Sequence, residues 1–85
     1  MNLKVDRQLE IKIPYKETIL DVGFKIDLLV EDKVIIELKS VEDLAPIHYK
    51  KVTNYLKLTN KKLGLLINFN TTNILDDIKR IVNKI

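Results

Sequence analysis

The sequence contains no cysteine. That excludes disulfides, thiolate metal sites and cysteine nucleophiles, and it fits a reducing cytoplasm. Histidine occurs once, at His48, and a lone histidine without cysteine builds no zinc site. No Ser-His-Asp arrangement can be argued. Glycine is limited to Gly23 and Gly64, so there is no glycine-rich phosphate loop and an ATP site is unsupported. No apolar run approaches the roughly 20 residues that span a bilayer. The stretch Met1 to Asp6 lacks the apolar core of a signal peptide. Repeats, low-complexity segments and linkers are also missing.

What remains is 85 residues, 46% of them hydrophobic. This length predicts a single domain over residues 1–85. Such a domain buries roughly 60–65% of the surface its unfolded chain exposes, which leaves its stability marginal. The apolar residues are clustered, as in a folded chain and not a disordered one. The formal net charge is +3 and the pI about 9.2. A basic balance is compatible with a phosphate-bearing partner. An AT-rich coding sequence, which favours Lys, Asn and Ile together, produces the same balance, so charge alone does not decide.

Along the chain, Lys4 to Ile13 reads as a strand through Val5, Leu9, Ile11 and Ile13, stopped by Pro14. In Ile19 to Val30 the even positions from Val22 onward are all apolar, which is strand period. Glu31-Asp32-Lys33 interrupts, and Val34 to Lys39 is a second β-branched run, so the two read as a hairpin. Pro46 suits a first helical turn. Ile47, Val52, Tyr55, Leu56 and Leu58 follow helical spacing, which predicts a helix from about Pro46 to Thr59 ended by Asn60. Leu63 to Ile67 reads as a short strand buried on both faces, and Asn68 to Asn73 as a loop. Ile74 to Ile85 fits a helix, with a strand over Ile78 to Val82 as the alternative. The crossover helix lets the fourth strand lie parallel to one of the first three.

The hairpin carries the most chemistry. With a three-residue loop, Val30 faces Val34, Asp27 falls opposite Glu37, and Lys25 opposite Lys39. Glu37 and Lys39 then share one face. The reverse face carries Ile26, Leu28 and Val30 against Val34, Ile36 and Leu38. Like charges placed opposite one another destabilise a sheet, and ionised carboxylates among apolar residues are costly without partners. A divalent cation between them relieves both penalties, and hard oxygen ligands suit Mg²⁺ or Mn²⁺. A lysine beside them can orient a water nucleophile or neutralise charge developing on a phosphate. Glu-X-Lys is a short motif, however, and a solvated sheet face with Lys25 and Lys39 as cross-strand ion partners is the competing reading.

The block Phe24 to Lys39 resembles the central block of the GxxExxY proteins, a family assigned to the PD-(D/E)XK nuclease superfamily. The likeness continues through His48, Tyr55 to Thr59, Gly64 to Asn70 and Ile78 to Val82, nearly the whole chain. The superfamily core implies helix-strand-strand-strand-helix-strand, which agrees with the order above from the first strand onward. By that resemblance Asp27 is the motif aspartate of the second strand, and Glu37 and Lys39 are the glutamate and lysine of the third. It also implies that the carbonyl oxygen of Leu38 completes a metal site. Tyr55 matches the tyrosine of a helical Gln-x-x-x-Tyr signature. Lys51 stands in place of the glutamine, where it could bind phosphate or mark an active site that has decayed. The N-terminal helix that gives the family its name has no counterpart, and the chain starts at the first strand. Loss of that cover predicts exposed apolar surface and hence a homodimer or a partner supplying the helix.

Other residues have plainer readings. His48 near a helix start points to a surface or packing role, and Tyr55 on an apolar helix face to the core. Lys50, Lys51, Lys57, Lys61 and Lys62 could follow a nucleic-acid backbone or simply form a solvated face. Gly23 and Gly64 within strands imply a bulge or a close backbone approach. The expectation is therefore an α/β fold. A mainly antiparallel three-stranded sheet is followed by a crossover helix and a fourth strand, a restriction-endonuclease-like core without its first helix. Its function is expected to be metal-dependent phosphodiester hydrolysis of nucleic acid, DNA above RNA. The catalytic residues would be Asp27, Glu37 and Lys39, with Lys51 and Tyr55 towards substrate. The metal, Mg²⁺ or Mn²⁺, would lie on Asp27, Glu37 and Leu38. The alternative is a catalytically inactive remnant serving as an oligomerising or nucleic-acid-binding module. No membrane association is expected.

Overall fold

Five strands form one mixed sheet in the order β1-β2-β3-β4-β5. They are β1 (Val5–Tyr15), β2 (Thr18–Val30), β3 (Val34–Lys39), β4 (Leu63–Asn68) and β5 (Ile78–Val82). A single helix, α1 (Pro46–Thr59), connects β3 to β4, and a 3₁₀ turn over Ile74–Asp77 leads into β5. The computed structural model describes the backbone of residues 2–15 and 18–84 and the side chains of residues 2–10 and 25–84. The inward or outward facing expected of Ile11, Ile13, Val22, Phe24 and Ile85 lies outside the described side chains. The expected α/β core is present: β1, β2 and β3 pair antiparallel, and β3 and β4 pair parallel across the α1 crossover.

The β2–β3 hairpin has the predicted register, with Val30 opposite Val34, Leu29 opposite Ile35 and Leu28 opposite Ile36. Its three-residue loop places Glu31 and Asp32 at φ of 52° and 60°, a left-handed conformation that a short polar residue such as Asp tolerates. The Glu31 N–H donates to the Lys4 carbonyl at 2.8 Å, which ties the loop to the chain entering β1. Pro14 does not end β1, which runs on to Tyr15 with Pro14 opposite Ile19. An edge strand has one side free of ladder bonds, so proline's missing N–H is tolerated there. The ambiguous C-terminal segment is a short 3₁₀ turn followed by a strand, not a helix.

Helix α1 has the expected bounds. Pro46 occupies the first turn, where an N–H would have no helical acceptor. The Ala45 N–H donates to His48 Nδ1 at 2.9 Å, and the His48 N–H to the Ala45 carbonyl at 2.9 Å. His48 is thus a helix cap, in keeping with its plainer reading. Asn60 closes the other end in the left-handed conformation, φ 57°. Val52, Tyr55 and Leu56 form the buried stripe. Ile47 and Leu58, expected to share it, are 70% and 42% exposed. At about 100° per residue both fall a third of a turn or more from Val52.

The core consists of Ile26, Leu29, Ile35, Val52, Tyr55, Leu56 and Leu66, with Leu44, Tyr49 and Ile81 packed against it. Ile26 and Leu29 both point inward, so strict alternation along β2 breaks between them, and Ile26 does not share a face with Leu28 and Val30 as period two requires. Opposite this break, Gln8 of β1 has a φ of 52°, between the pairs Arg7–Leu28 and Leu9–Ile26. Strand β4 buries Gly64, Leu66 and Asn68, while Leu63, Leu65 and Ile67 are half-buried. It is covered fully on one face, not on both as expected, because α1 is the only α-helix among the described residues.

Gly64 is where helix and sheet meet. A Cβ built there would lie 2.6 Å from Val52 Cγ1 and 3.4 Å from Leu56 Cδ1, so the helix rests directly on the strand backbone. Gly64→Ala is expected to destabilise the fold by about 1–3 kcal/mol, the usual cost of overpacking a filled core. A urea denaturation curve with unchanged slope and a lower midpoint checks this.

Candidate functional site

The helix-covered face of the sheet also carries charge. Ile35 pairs in register with Gly64, Glu37 with Leu66 and Lys39 with Asn68. The Glu37 side chain therefore points to the same side as the glycine on which α1 rests. It is 1% exposed, which rules out the solvated-face reading. Lys25, expected opposite Lys39, is exposed and paired with Glu10 of β1 instead.

Three side chains meet Glu37. From α1, Lys51 brings its Nζ to 2.7 Å from Glu37 Oε2. From the same strand, Lys39 Nζ lies 3.7 Å from that oxygen. Asp27 approaches from β2, and its charge acts on Glu37. The β2–β3 register extends no further than Leu28–Ile36. Just beyond, the Leu38 N–H donates to Asp27 Oδ2 at 2.9 Å. The Asp27 carboxylate thus caps the end of the ladder and is held beside Glu37 by the backbone of β3. Asp27, Glu37 and Lys39 are brought together, although Asp27 touches Leu38 instead of lying in a regular pair with Glu37.

The electrostatics follow from burial. Burial pushes the Glu37 carboxyl above its ordinary value of 4.5, Lys51 opposes this, and the negative charge of Asp27 adds to it. Burial acts to lower the Lys51 ammonium, but its contact with Glu37 outweighs that and holds it above 10.5. Burial likewise raises the Tyr55 phenol, against the influence of Lys51. Neither Glu37 oxygen has a well-directed hydrogen bond. At 2.7 Å the Lys51 contact is a close ion pair in which charge, more than direction, does the binding.

Lys51 and Tyr55 stand one helical turn apart, with Lys51 Nζ 5.6 Å from the centre of the Tyr55 ring. Tyr55 is fully buried in the core. The two residues line one wall of a cleft of about 370 Å³, together with Ile47, Lys50 and Asn54. Sequence reasoning placed Lys51 towards substrate but missed that it is the nearest cation to Glu37. A spacing argument within the hairpin carries no information about which helical residue crosses over it.

Asn68 was also missed. It is fully buried, and it pairs with both backbone groups of Val41: Oδ1 accepts from the N–H at 3.0 Å and Nδ2 donates to the carbonyl at 2.9 Å. The Phe69 N–H donates to the Lys39 carbonyl at 2.8 Å. These bonds tie the connection between Lys39 and α1 to the end of β4. The available signal was a polar residue two positions after Leu66, on the inward period of β4.

Among the described residues no three His, Cys, Asp or Glu side chains converge as a metal cluster. The acidic oxygen donors that the structure brings together here are the two carboxylates of Asp27 and Glu37. That set fits Mg²⁺ or Mn²⁺, which commonly take one or two protein carboxylates and keep several waters. Glu37 Oε1, buried without a hydrogen-bond partner, is the kind of oxygen a cation would satisfy. No helix among the described residues is long and apolar enough to cross a membrane.

Neither the curated proteins nor the solved structures provide a match to the chain. The sequence profile of the PD-(D/E)XK nuclease superfamily does match, over residues 1–81. That span takes in β1 to β4, the crossover helix, the buried acidic site and all but the last residue of β5, and the chain belongs to the PD-(D/E)XK nuclease superfamily.

Proposed function

We propose that residues 1–85 form a single nuclease domain that uses Mg²⁺ or Mn²⁺ to hydrolyse phosphodiester bonds of nucleic acid, with DNA as the first substrate to test. The observation that carries this reading is the Glu37 carboxylate, 1% exposed and yet placed beside a second carboxylate, Asp27, and two lysines. A chain selected for stability alone has little reason to bury that charge. Asp27 and Glu37 would hold the cation, with the Leu38 carbonyl beside them. A bound divalent ion lowers the pKa of water and offsets charge on a phosphate. Lys39 would orient the attacking water or neutralise the phosphate oxygen, and Lys50, Lys51 and Asn54 in the adjoining cleft would meet the backbone of the substrate. The domain would act in the cytoplasm. A second copy or a partner chain would cover the half-buried apolar side of β3 and β4.

A second reading has one specific observation in its favour. Lys51 already neutralises Glu37 at 2.7 Å, as it would in an inactive remnant retained as an oligomerising or nucleic-acid-binding module. The test is incubation of the purified protein with single-stranded DNA, duplex DNA and RNA, with Mg²⁺ or Mn²⁺ and separately with EDTA. Cleavage that needs the metal supports the nuclease. Substrate binding with no cleavage under any condition overturns it in favour of the module.

A further inference from the structure

We propose that Lys51 is a displaceable counter-cation that competes with the divalent metal for Glu37 and so sets the metal affinity of the site; this rests on the reading of Asp27 and Glu37 as metal ligands. Four observations carry it. Glu37 is removed from water, so its charge must be met by the protein or by an ion. Of the two ammonium groups nearby, Lys51 holds the position at 2.7 Å and Lys39 only 3.7 Å, both measured from Oε2. Both ion-pair distances fall on Oε2, while Oε1 is buried with no hydrogen-bond partner. The Lys51 side chain is 38% exposed and opens onto the cleft lined by Ile47, Lys50 and Asn54, whereas Lys39 is less exposed.

Charge, more than space, sets the two cations against each other. A metal bonded to a carboxylate oxygen sits about 2.0–2.1 Å from it. An ammonium remaining at 2.7 Å from Oε2 would be close to that ion in a poorly hydrated site, where like charges repel far more than in water. A lysine reaches solvent by rotating its flexible stem while the helix stays in place. The Lys51 ammonium therefore leaves Glu37 when a metal enters and returns when it departs. It also keeps the metal-free domain from holding the buried Glu37 carboxylate beside Asp27 without its nearest counter-charge.

The experiment is calorimetric titration of Mn²⁺ into the wild-type chain, Lys51→Met, Lys51→Arg and the double variant Lys51→Met/Glu37→Gln, each first shown to be folded by circular dichroism. Lys51→Met should bind at least ten-fold more tightly than wild type, Lys51→Arg should remain near wild type, and the double variant should not bind. If Lys51→Met binds with wild-type or weaker affinity, the competition is overturned while the metal site stands. If neither wild type nor Lys51→Met takes up Mn²⁺, the metal site itself falls and the competition with it. An independent readout is acetylation of lysines followed by mass spectrometry. Mg²⁺ should speed modification of Lys51 at least several-fold and leave exposed Lys57 unchanged, whereas no change at Lys51 in a metal-saturated chain overturns its displacement.

Discussion

Glu37→Gln is expected to abolish Mn²⁺ binding and, in the presence of chelator, to melt about 4–8 °C higher than the wild type, the shift that roughly 1 kcal/mol makes in a domain of this size. The loss follows from removing one of two carboxylates in a site with no third acidic ligand among the described residues. The gain follows from burial. The carboxylate is nearly inaccessible, its ionised form is penalised chiefly by desolvation, and Asp27 adds repulsion. Lys51 returns part of that cost, but replacing buried ionic groups by neutral ones of similar shape is often neutral or stabilising, by about 1–4 kcal/mol. Removing one partner is harmful when the other is left as a trapped charge. Lys51 is not trapped, because its side chain is more than a third exposed.

The same variant has a pH signature with a definite sign. The unfolded carboxyl titrates near its ordinary 4.5 and the folded one higher. As pH rises through the interval between those two values, the unfolded chain loses its proton before the folded chain does, so wild-type stability falls. Above the folded value the contribution is constant, and below 4.5 it vanishes. Glu37→Gln lacks this slope, so its advantage in melting temperature should grow from pH 4.5 upward and then level off. A variant that melts below wild type across the whole range would mean that the Lys51–Glu37 pair stabilises the domain, and that burial of Glu37 is not a cost borne for function.

Much of this fold could be read before any coordinates. The bounds of α1 follow from Pro46 and Asn60, whose backbone preferences are local. The hairpin register follows from a loop of fixed length, and the parallel placement of β4 from the need for a crossover. The misreadings all concern how elements pack. Periodicity marks Ile47 and Leu58 as apolar but cannot say at what angle α1 meets the sheet. Pro14 breaks a central strand but not an edge strand, and sequence alone does not locate the edge. Ile26 leaves the face of Leu28 because β2 is irregular near Asp27, where no glycine or proline announces the break. For the site, spacing within the hairpin brought Asp27, Glu37 and Lys39 into one neighbourhood. Lys51 and Asn68 reach it from α1 and β4, and only tertiary structure determines those contacts.

The two residues flanking Glu37 should separate binding from chemistry. Lys39→Met is expected to lower metal-dependent phosphodiester cleavage by about 10²–10³-fold, the usual loss when one group that stabilises developing charge is removed. Its Mn²⁺ affinity should hold or rise, because a cation 3.7 Å from Glu37 is no longer present. Asp27→Asn should lose both cleavage and Mn²⁺ binding while remaining folded. The asparagine carbonyl oxygen can still accept the Leu38 N–H that Asp27 Oδ2 now takes at 2.9 Å, so the end of the β2–β3 ladder stays capped while the charge disappears. Asp27→Ala removes the acceptor as well, and its additional loss of stability, about 0.5–1.5 kcal/mol, measures the structural share of this residue. Single-turnover cleavage rates and calorimetry on the same preparations read both effects. If Lys39→Met lost Mn²⁺ binding together with cleavage, Lys39 would be holding the carboxylates in place and its assignment to the chemical step would fail. If Asp27→Asn cleaved at the wild-type rate, Asp27 would be only a ladder cap, and Glu37 would need another ligand outside the hairpin.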